Sequence, residues 1–342
     1  MKIEDHGTVV SFLERCRRNL NQNFLNRFLD CTVTPGKEAY VKKQLKKAGA
    51  QEFEGDPGQW PSLFLSSQKW KESPYHQAVT EKLLSEHNSR YQSQWFAGGR
   101  LFNADAVQPD RRRELGDWMK LRAMDEDIET LILSENETEW MLDAPSEMAT
   151  NDPYARKAHG KTITFGLGIG YFLFMALRNP DVSHITVIER DAETIERFRE
   201  VLLPLFPDQD RFDIQCEDAF SVWNKEVLSA YDYLYADIWQ SSEDGLFLMR
   251  KLLKQYVPPL KVADFWIEDS CVVPLRTLIF LHYEELLSGK PALVHPDYAP
   301  LMEDVRSYFE SVSDSVTDPD RLKYMLYDRG VLRSILGGKP CA

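Results

Sequence analysis

"FGLGIGYF", residues 165–172, carries three glycines in five positions, between an apolar run that reads as a strand and one that reads as a helix. Glycine permits a tight turn, and without a Cβ it lets another group come close to the backbone. Glycine clusters at strand-to-helix turns also serve close packing, so the loop alone leaves both readings open. Its spacing does exclude two ligands. The dinucleotide fingerprint G-x-G-x-x-G needs a glycine at 171 or 173, where Tyr171 and Leu173 stand. The P-loop sequence Gly-Lys-Ser/Thr is missing too. What remains is G-x-G-x-G at Gly166, Gly168 and Gly170.

The chain around the loop gives it a setting. Five short apolar runs follow one another: "TITFG" (162–166), "ITVIE" (185–189), "FDIQC" (212–216), "YDYLYAD" (231–237) and "VADFWI" (262–267). Helix-compatible stretches such as "DAETIERFREVLLPLF" and "GLFLMRKLLKQY" lie between them. Strand alternating with helix in this way means β-α-β units and a parallel sheet. The expected fold class is therefore α/β, a Rossmann-like doubly wound, mostly parallel sheet with helical N-terminal and C-terminal additions. Ligands on such sheets sit at the carboxyl ends of the strands.

Acidic residues fall at three of those ends. Glu189 closes the second run; there an acid can accept both hydroxyls of a ribose, or simply be a solvated carboxylate. "CEDAF" (216–220) closes the third run. Asp218 there can accept from an adenine amino group and the Ala219 backbone can reach a ring nitrogen, although the same residues suit a helix N-cap. Asp237 ends the fourth run and can serve as a general base, hold an amine, bind a metal or cap a helix. Trp140, Trp239 and Trp266 either wall a pocket or fill the core.

In these residues the chain resembles the class I S-adenosylmethionine-dependent methyltransferases over about residues 155–270, and "GLGIGYF…VIERD…EDAF…YDYLYADIW" is most similar to their spermidine-synthase-like branch. The resemblance implies S-adenosylmethionine as cofactor. It implies that Gly166, Gly168 and Gly170 line its methionine part, that Glu189 with Arg190 beside it meets the ribose, that Asp218 and Ala219 meet the adenine, and that Asp237 touches the cofactor and faces the substrate as the catalytic residue. Methyl transfer to a small-molecule or protein nucleophile is the leading activity. Aminopropyl transfer to a polyamine and a noncatalytic adenosyl-ligand-binding role are the alternatives. The family often has an acid two residues before the first glycine; here that residue is Thr164, and Glu147 or Asp143 is the expected substitute. The N-P-P-Y motif is absent. Asp237 with Glu268 and Asp269 offers oxygen ligands for a divalent cation, but "WIEDS" reads better as a helix start capped by Asp269 or Ser270, and no metal is expected.

Composition narrows the class further. Among 342 residues the net charge is -13, which argues against nucleic-acid binding, where clustered Lys and Arg must neutralise phosphates. The one dense basic run, Arg111, Arg112 and Arg113, reads as a solvated helix start. The five cysteines, Cys16, Cys31, Cys216, Cys271 and Cys341, form no C-x-x-C pair and no His-associated metal pattern. "MKIEDHGTVV" lacks a signal peptide's apolar core, and no apolar run reaches membrane-span length. The expectation is a cytoplasmic protein with a small-molecule substrate, no nucleic-acid or membrane partner, and a homodimer left open. Residues 1–120 read as mainly helical, 121–155 as a β-hairpin and lead-in, 156–270 as the cofactor domain and 271–342 as a helical tail. One amphipathic helix is expected through Phe12, Leu13, Cys16, Leu20, Phe24 and Phe28, and others at "PLRTLIFLHYEELL" and "LMEDVRSYFESV".

Overall fold

A computed structural model describes residues 1–4, 6–20, 22–86, 91–110, 112–135 and 138–339. Its centre is a five-stranded parallel sheet of β1 (Gly160–Phe165), β2 (Val182–Glu189), β3 (Phe212–Cys216), β4 (Tyr233–Ala236) and β5 (Ala263–Phe265). The spatial order is β3-β2-β1-β4-β5. β-branched and aromatic residues dominate the strands and suit a pleated backbone. Ile163, Val187, Leu234 and Phe265 are each buried to 1% exposure or less. That fits a parallel sheet covered on both faces.

The register sets up the site. Phe165 lies beside Ile188 and Ala236, and Ala236 lies beside Phe265. Glu189 pairs with Cys216. The next residues, Gly166, Glu189, Asp237 and Trp266, therefore emerge in one row, with Glu217 and Asp218 at its β3 end. The strand order reverses between β1 and β4, and at such a switch point the flanking helices part and leave a crevice.

Flanking elements complete the layers. An antiparallel pair, Ile128–Glu135 with Thr138–Leu142, precedes the sheet as the sequence suggests, while the turn at Asn136–Glu137 lies outside the described residues. Helix α1 (Pro145–Lys157) joins this pair to β1, and α2 (Tyr171–Leu177) follows the glycine loop. The C-terminal region is helical: α3 (Val273–Ser288), α4 (Ala299–Ser311), α5 (Pro319–Tyr327) and α6 (Arg329–Leu336). Helix α3 is not amphipathic, because Leu275, Arg276, Leu278, Ile279, Phe280, His282 and Tyr283 are all buried. It runs through the core rather than along its surface.

The N-terminal region differs in detail from a mainly helical segment. Its first helix spans Gly7–Asn19, buries Val9, Phe12, Leu13 and Cys16, and ends before Leu20. Phe24, 39% exposed, and Phe28 lie beyond it. The N-terminal strand Lys2–Ile3 pairs with Ser315–Val316, so this end of the chain joins the C-terminal helices. A separate cluster, including Leu25, Leu45, Phe53, Leu63, Leu101 and Leu121, forms a second core from helix Glu38–Ala48 and short strands such as Phe64–Leu65 and Leu121–Met124. The basic run is no helix start. Asp110, 3% exposed, accepts from the Arg112 amide at 2.8 Å and from Arg113 Nε at 2.6 Å, and Arg111 lies outside the described residues, as does Cys341.

The C-terminal helices are tied to the sheet by a buried ion pair. Arg333 Nε and Nη2 each donate at 2.6 Å to Glu268, and Nη1 donates to the Ala263 carbonyl at 3.0 Å. Both side chains are 2% exposed. Removing one member leaves the other charge buried and unpaired, which costs about 3–5 kcal/mol. Urea denaturation of Glu268→Ala should show a loss of that size, whereas the double change Glu268→Leu with Arg333→Met should lose much less.

Candidate functional site

A cavity of about 400 Å³ occupies the crevice at the carboxyl edge of the sheet. Gly166, Gly168, Glu189, Arg190, Asp218, Ala219 and Asp237 all line it, together with Glu147 and Thr164. Thus seven of the eight residues singled out for cofactor contact share one cavity, Asp237, also the catalytic candidate, among them. Gly170 does not. It caps α2 at φ 74°, and a side chain there would run into Phe198 and Phe206. Its glycine answers to packing.

The loop geometry explains the other two glycines. Gly166 has φ 97° and Gly168 φ 51°, the left-handed region that L side chains avoid. A Cβ on Gly166 would overlap the Asp237 carbonyl, so glycine lets the chain ends of β1 and β4 close together. A Cβ on Gly168 would overlap the Met141 sulfur. Met141 comes from the antiparallel pair and also accepts the Ile169 amide at 3.4 Å, which brings that pair over the loop. Nothing in the sequence marks Met141.

Glu189 holds the loop. One carboxylate oxygen accepts the Leu167 amide at 3.0 Å and the other accepts the Asp191 amide at 2.9 Å. It is half-buried, not a freely solvated strand-end acid. A carboxylate offers about four lone-pair sites, so two acceptor positions remain for donors in the cavity. Asp218 accepts the Phe220 amide at 2.8 Å and caps the short helix Ala219–Val222, so its capping role and its place on the cavity wall coexist.

The floor is aromatic. Phe172 stacks on Tyr235 with ring centroids 4.2 Å apart. Trp239 and Trp266, 4% and 8% exposed, are both core residues and wall residues. The side chain of Trp140 lies outside the described residues.

Seven carboxyl-bearing residues line the cavity (Glu147, Glu189, Asp191, Glu217, Asp218, Asp237, Asp244) against one cation, the exposed Arg190. The field there favours a cationic ligand and repels a pyrophosphate. Most of these acids already hold backbone amides: Asp191 those of Glu193 and Thr194, Asp244 those of Gln240 and Ser241. Glu147 and Asp237 accept no such bond among the described residues. Burial pushes the Glu147 carboxyl up to about 7. Burial, then the neighbouring charge of Glu147, raises Asp237 well above the usual carboxylate range.

Of the two acids expected to stand in for Thr164, only Glu147 reaches the cavity. Asp143 is fully buried, bonded to Thr80 and to the Leu131 amide, and burial raises it to about 7. Thr164 itself is 2% exposed and lines the cavity from β1. The cation set is committed elsewhere: Glu268 pairs with Arg333, and Asp269 with Arg276 at 3.2 Å and Arg329 at 2.8 Å. Residues 268–271 do start a helix, but its cap is the Ile267 backbone rather than Asp269 or Ser270. Among the described residues no group of three or more His, Cys, Asp or Glu could hold a metal ion. No helix among them is long and apolar enough to cross a membrane.

No family model matches the chain, and no curated protein matches its sequence. Solved structures similar to it include a probable spermidine synthase from Corynebacterium glutamicum (14% identity, 58% of this chain and 86% of that chain, TM-score 0.32). They also include the mitomycin 7-O-methyltransferase MmcR (13%, 66% and 62%, TM-score 0.26), of which the match spans under two thirds. A third is the Mycobacterium tuberculosis shikimate dehydrogenase (14%, 53% and 67%, TM-score 0.22). These scores are too low to carry an argument about activity.

The raised acids make a signed prediction. The unfolded chain loses the Glu147 proton near the ordinary carboxylate range, whereas the folded chain keeps it to about pH 7. Stability from that proton is full at low pH and is lost as pH rises through the folded value. Glu147→Gln, which needs no ionisation, should match the wild type near about pH 4 and exceed it by about 1–3 kcal/mol near about pH 8. Urea midpoints across that range measure the difference; equal midpoints throughout would contradict the burial assigned to Glu147.

Proposed function

We propose that this chain is an S-adenosylmethionine-dependent methyltransferase. The observation that carries the reading is the single row of strand-end groups around one cavity: the glycine loop after β1, Glu189 after β2, Asp218–Ala219 after β3 and Asp237 after β4. Their chemistry fits an adenosyl sulfonium. The open acceptor positions of Glu189 suit two ribose hydroxyls. Asp218 and the Ala219 backbone suit an amino-bearing ring. The acidic field suits the positive sulfur. When bound, the cofactor supplies a methyl group already activated by the sulfonium.

The chain's own task is then placement and proton handling. The loop, the Phe172–Tyr235 stack and the two tryptophans exclude water and fix a nucleophile in line with the methyl carbon. Asp237 would hold the nucleophile and accept its proton, while the bound cofactor would supply the methyl group. A carboxyl with a raised pKa is a stronger base once the ligand's positive charge has ionised it.

One observation favours a second reading, aminopropyl transfer from the decarboxylated cofactor. The lone cavity cation, Arg190, stands beside Glu189, so no basic side chain among the lining residues meets a tail carboxylate near Glu147. Calorimetry with S-adenosylmethionine and its decarboxylated form separates the two readings by which donor binds more tightly. In either case Glu189→Ala should weaken binding by about tenfold or more, the scale of a lost charged hydrogen bond. Because Glu189 also holds two loop amides, Glu189→Gln, which keeps an acceptor, should fall between. Unchanged affinity in Glu189→Ala would overturn the site assignment.

A further inference from the structure

We propose that Trp239 and Asp237 together form an acceptor subsite for a hydroxyl group on a small apolar compound, the phenol class. The proposal rests on the methyl-transfer reading above and names its acceptor. Trp239 lines the cavity two residues after Asp237. Its indole Nε1 is buried and has no hydrogen-bond partner. Among the described residues it is the one buried side-chain nitrogen or oxygen of the cavity lining in that condition.

The other polar aromatic tips of that wall are committed. Trp266 Nε1 donates to Thr150 at 3.0 Å, and the Tyr235 hydroxyl donates to Asn151 at 2.8 Å. The Trp239 indole is 4% exposed and stacks on Phe265 with ring centroids 6.2 Å apart, which holds it in place. The edge that carries Nε1 lies toward the helix Ser242–Gln255, because a Cβ on Gly245 would come within 2.9 Å of the adjoining Cδ1. Asp244 and Leu248 of that helix line the cavity, and the Asp244 oxygens already accept the amides of Gln240 and Ser241. A buried indole N–H normally finds an acceptor, and here a ligand in the cavity supplies it. The nucleophile beside Asp237 must also give up a proton. An ammonium group has three donors and no acceptor. A neutral amine has one lone pair, and if that pair accepts from Trp239 none is left for a new bond. A hydroxyl has one donor and two lone pairs. Its proton goes to Asp237, one pair accepts from Trp239 Nε1, and the other stays free for methylation. Phe172, Leu248 and Trp266 offer an apolar wall to the body that carries it.

Phenol, aniline and toluene are near in size and differ in one group, so they serve as probes. NMR titrations on the full chain, saturated with S-adenosylhomocysteine, should show phenol binding about threefold to tenfold more tightly than aniline, the range of one net hydrogen bond. Phenol should also shift one tryptophan indole N–H resonance that toluene leaves in place. Trp239→Phe, which keeps the ring stack but has no donor, should lack that resonance. It should weaken phenol by about threefold to tenfold while shifting toluene and S-adenosylhomocysteine less than about twofold. Aniline binding as well as phenol, no binding of any probe, or phenol affinity unchanged in Trp239→Phe would overturn the hydroxyl subsite while leaving the cofactor site intact. The wild-type comparison of phenol with aniline decides the matter even if Trp239→Phe does not fold. If wild type does not bind S-adenosylhomocysteine, the methyl-transfer reading fails and this proposal with it.

Discussion

The Glu189 carboxylate is the interaction on which the site depends. It sits where β2 ends and reaches back to the Leu167 amide in the turn after β1, while its other oxygen holds the Asp191 amide in its own turn. Two adjacent strand ends are thereby locked to one side chain. The glycine loop needs such a lock because its residues adopt left-handed backbone angles and carry few side chains of their own to hold it. On the far side of the loop, Gly166 leaves room for the Asp237 carbonyl, which draws β4 into the same arrangement. The switch-point crevice is then a consequence of strand order, and Glu189 decides its shape.

A second constraint is electrostatic. Carboxylates crowd one small cavity, and most are stabilised by amides at helix starts and turns. Glu147 and Asp237 are not, and burial raises both carboxyls above the ordinary range. A cationic ligand reverses that tendency. The pair therefore places two acids with raised pKa values in one cavity, an arrangement common at functional sites.

The fold was legible where local pattern decides structure. Five apolar runs separated by helix-compatible stretches correspond to five parallel strands, and the row of strand-end residues follows from register. The lining of the cavity was legible where a residue's position after a strand implies its direction, as with Glu189, Asp218 and Asp237. Gly170 shows the limit of that logic, because the same glycine spacing serves Phe198 and Phe206 packing. Helix α1 had no such signature: Pro145 starts it, Pro153 interrupts its pattern, and its polar residues bond inward to Tyr235 and Tyr171 rather than facing solvent. Two-residue strands such as Phe64–Leu65 are too short to show a period. The Glu268–Arg333 pair joins residues 65 positions apart and could only be found in three dimensions.

A crystal structure of the chain with S-adenosylhomocysteine tests the central claim most directly. Both ribose hydroxyls should lie within hydrogen-bond distance of the Glu189 carboxylate, with the ring against Asp218 and Ala219. A ligand bound elsewhere, or a ribose that makes no contact with Glu189, would contradict it.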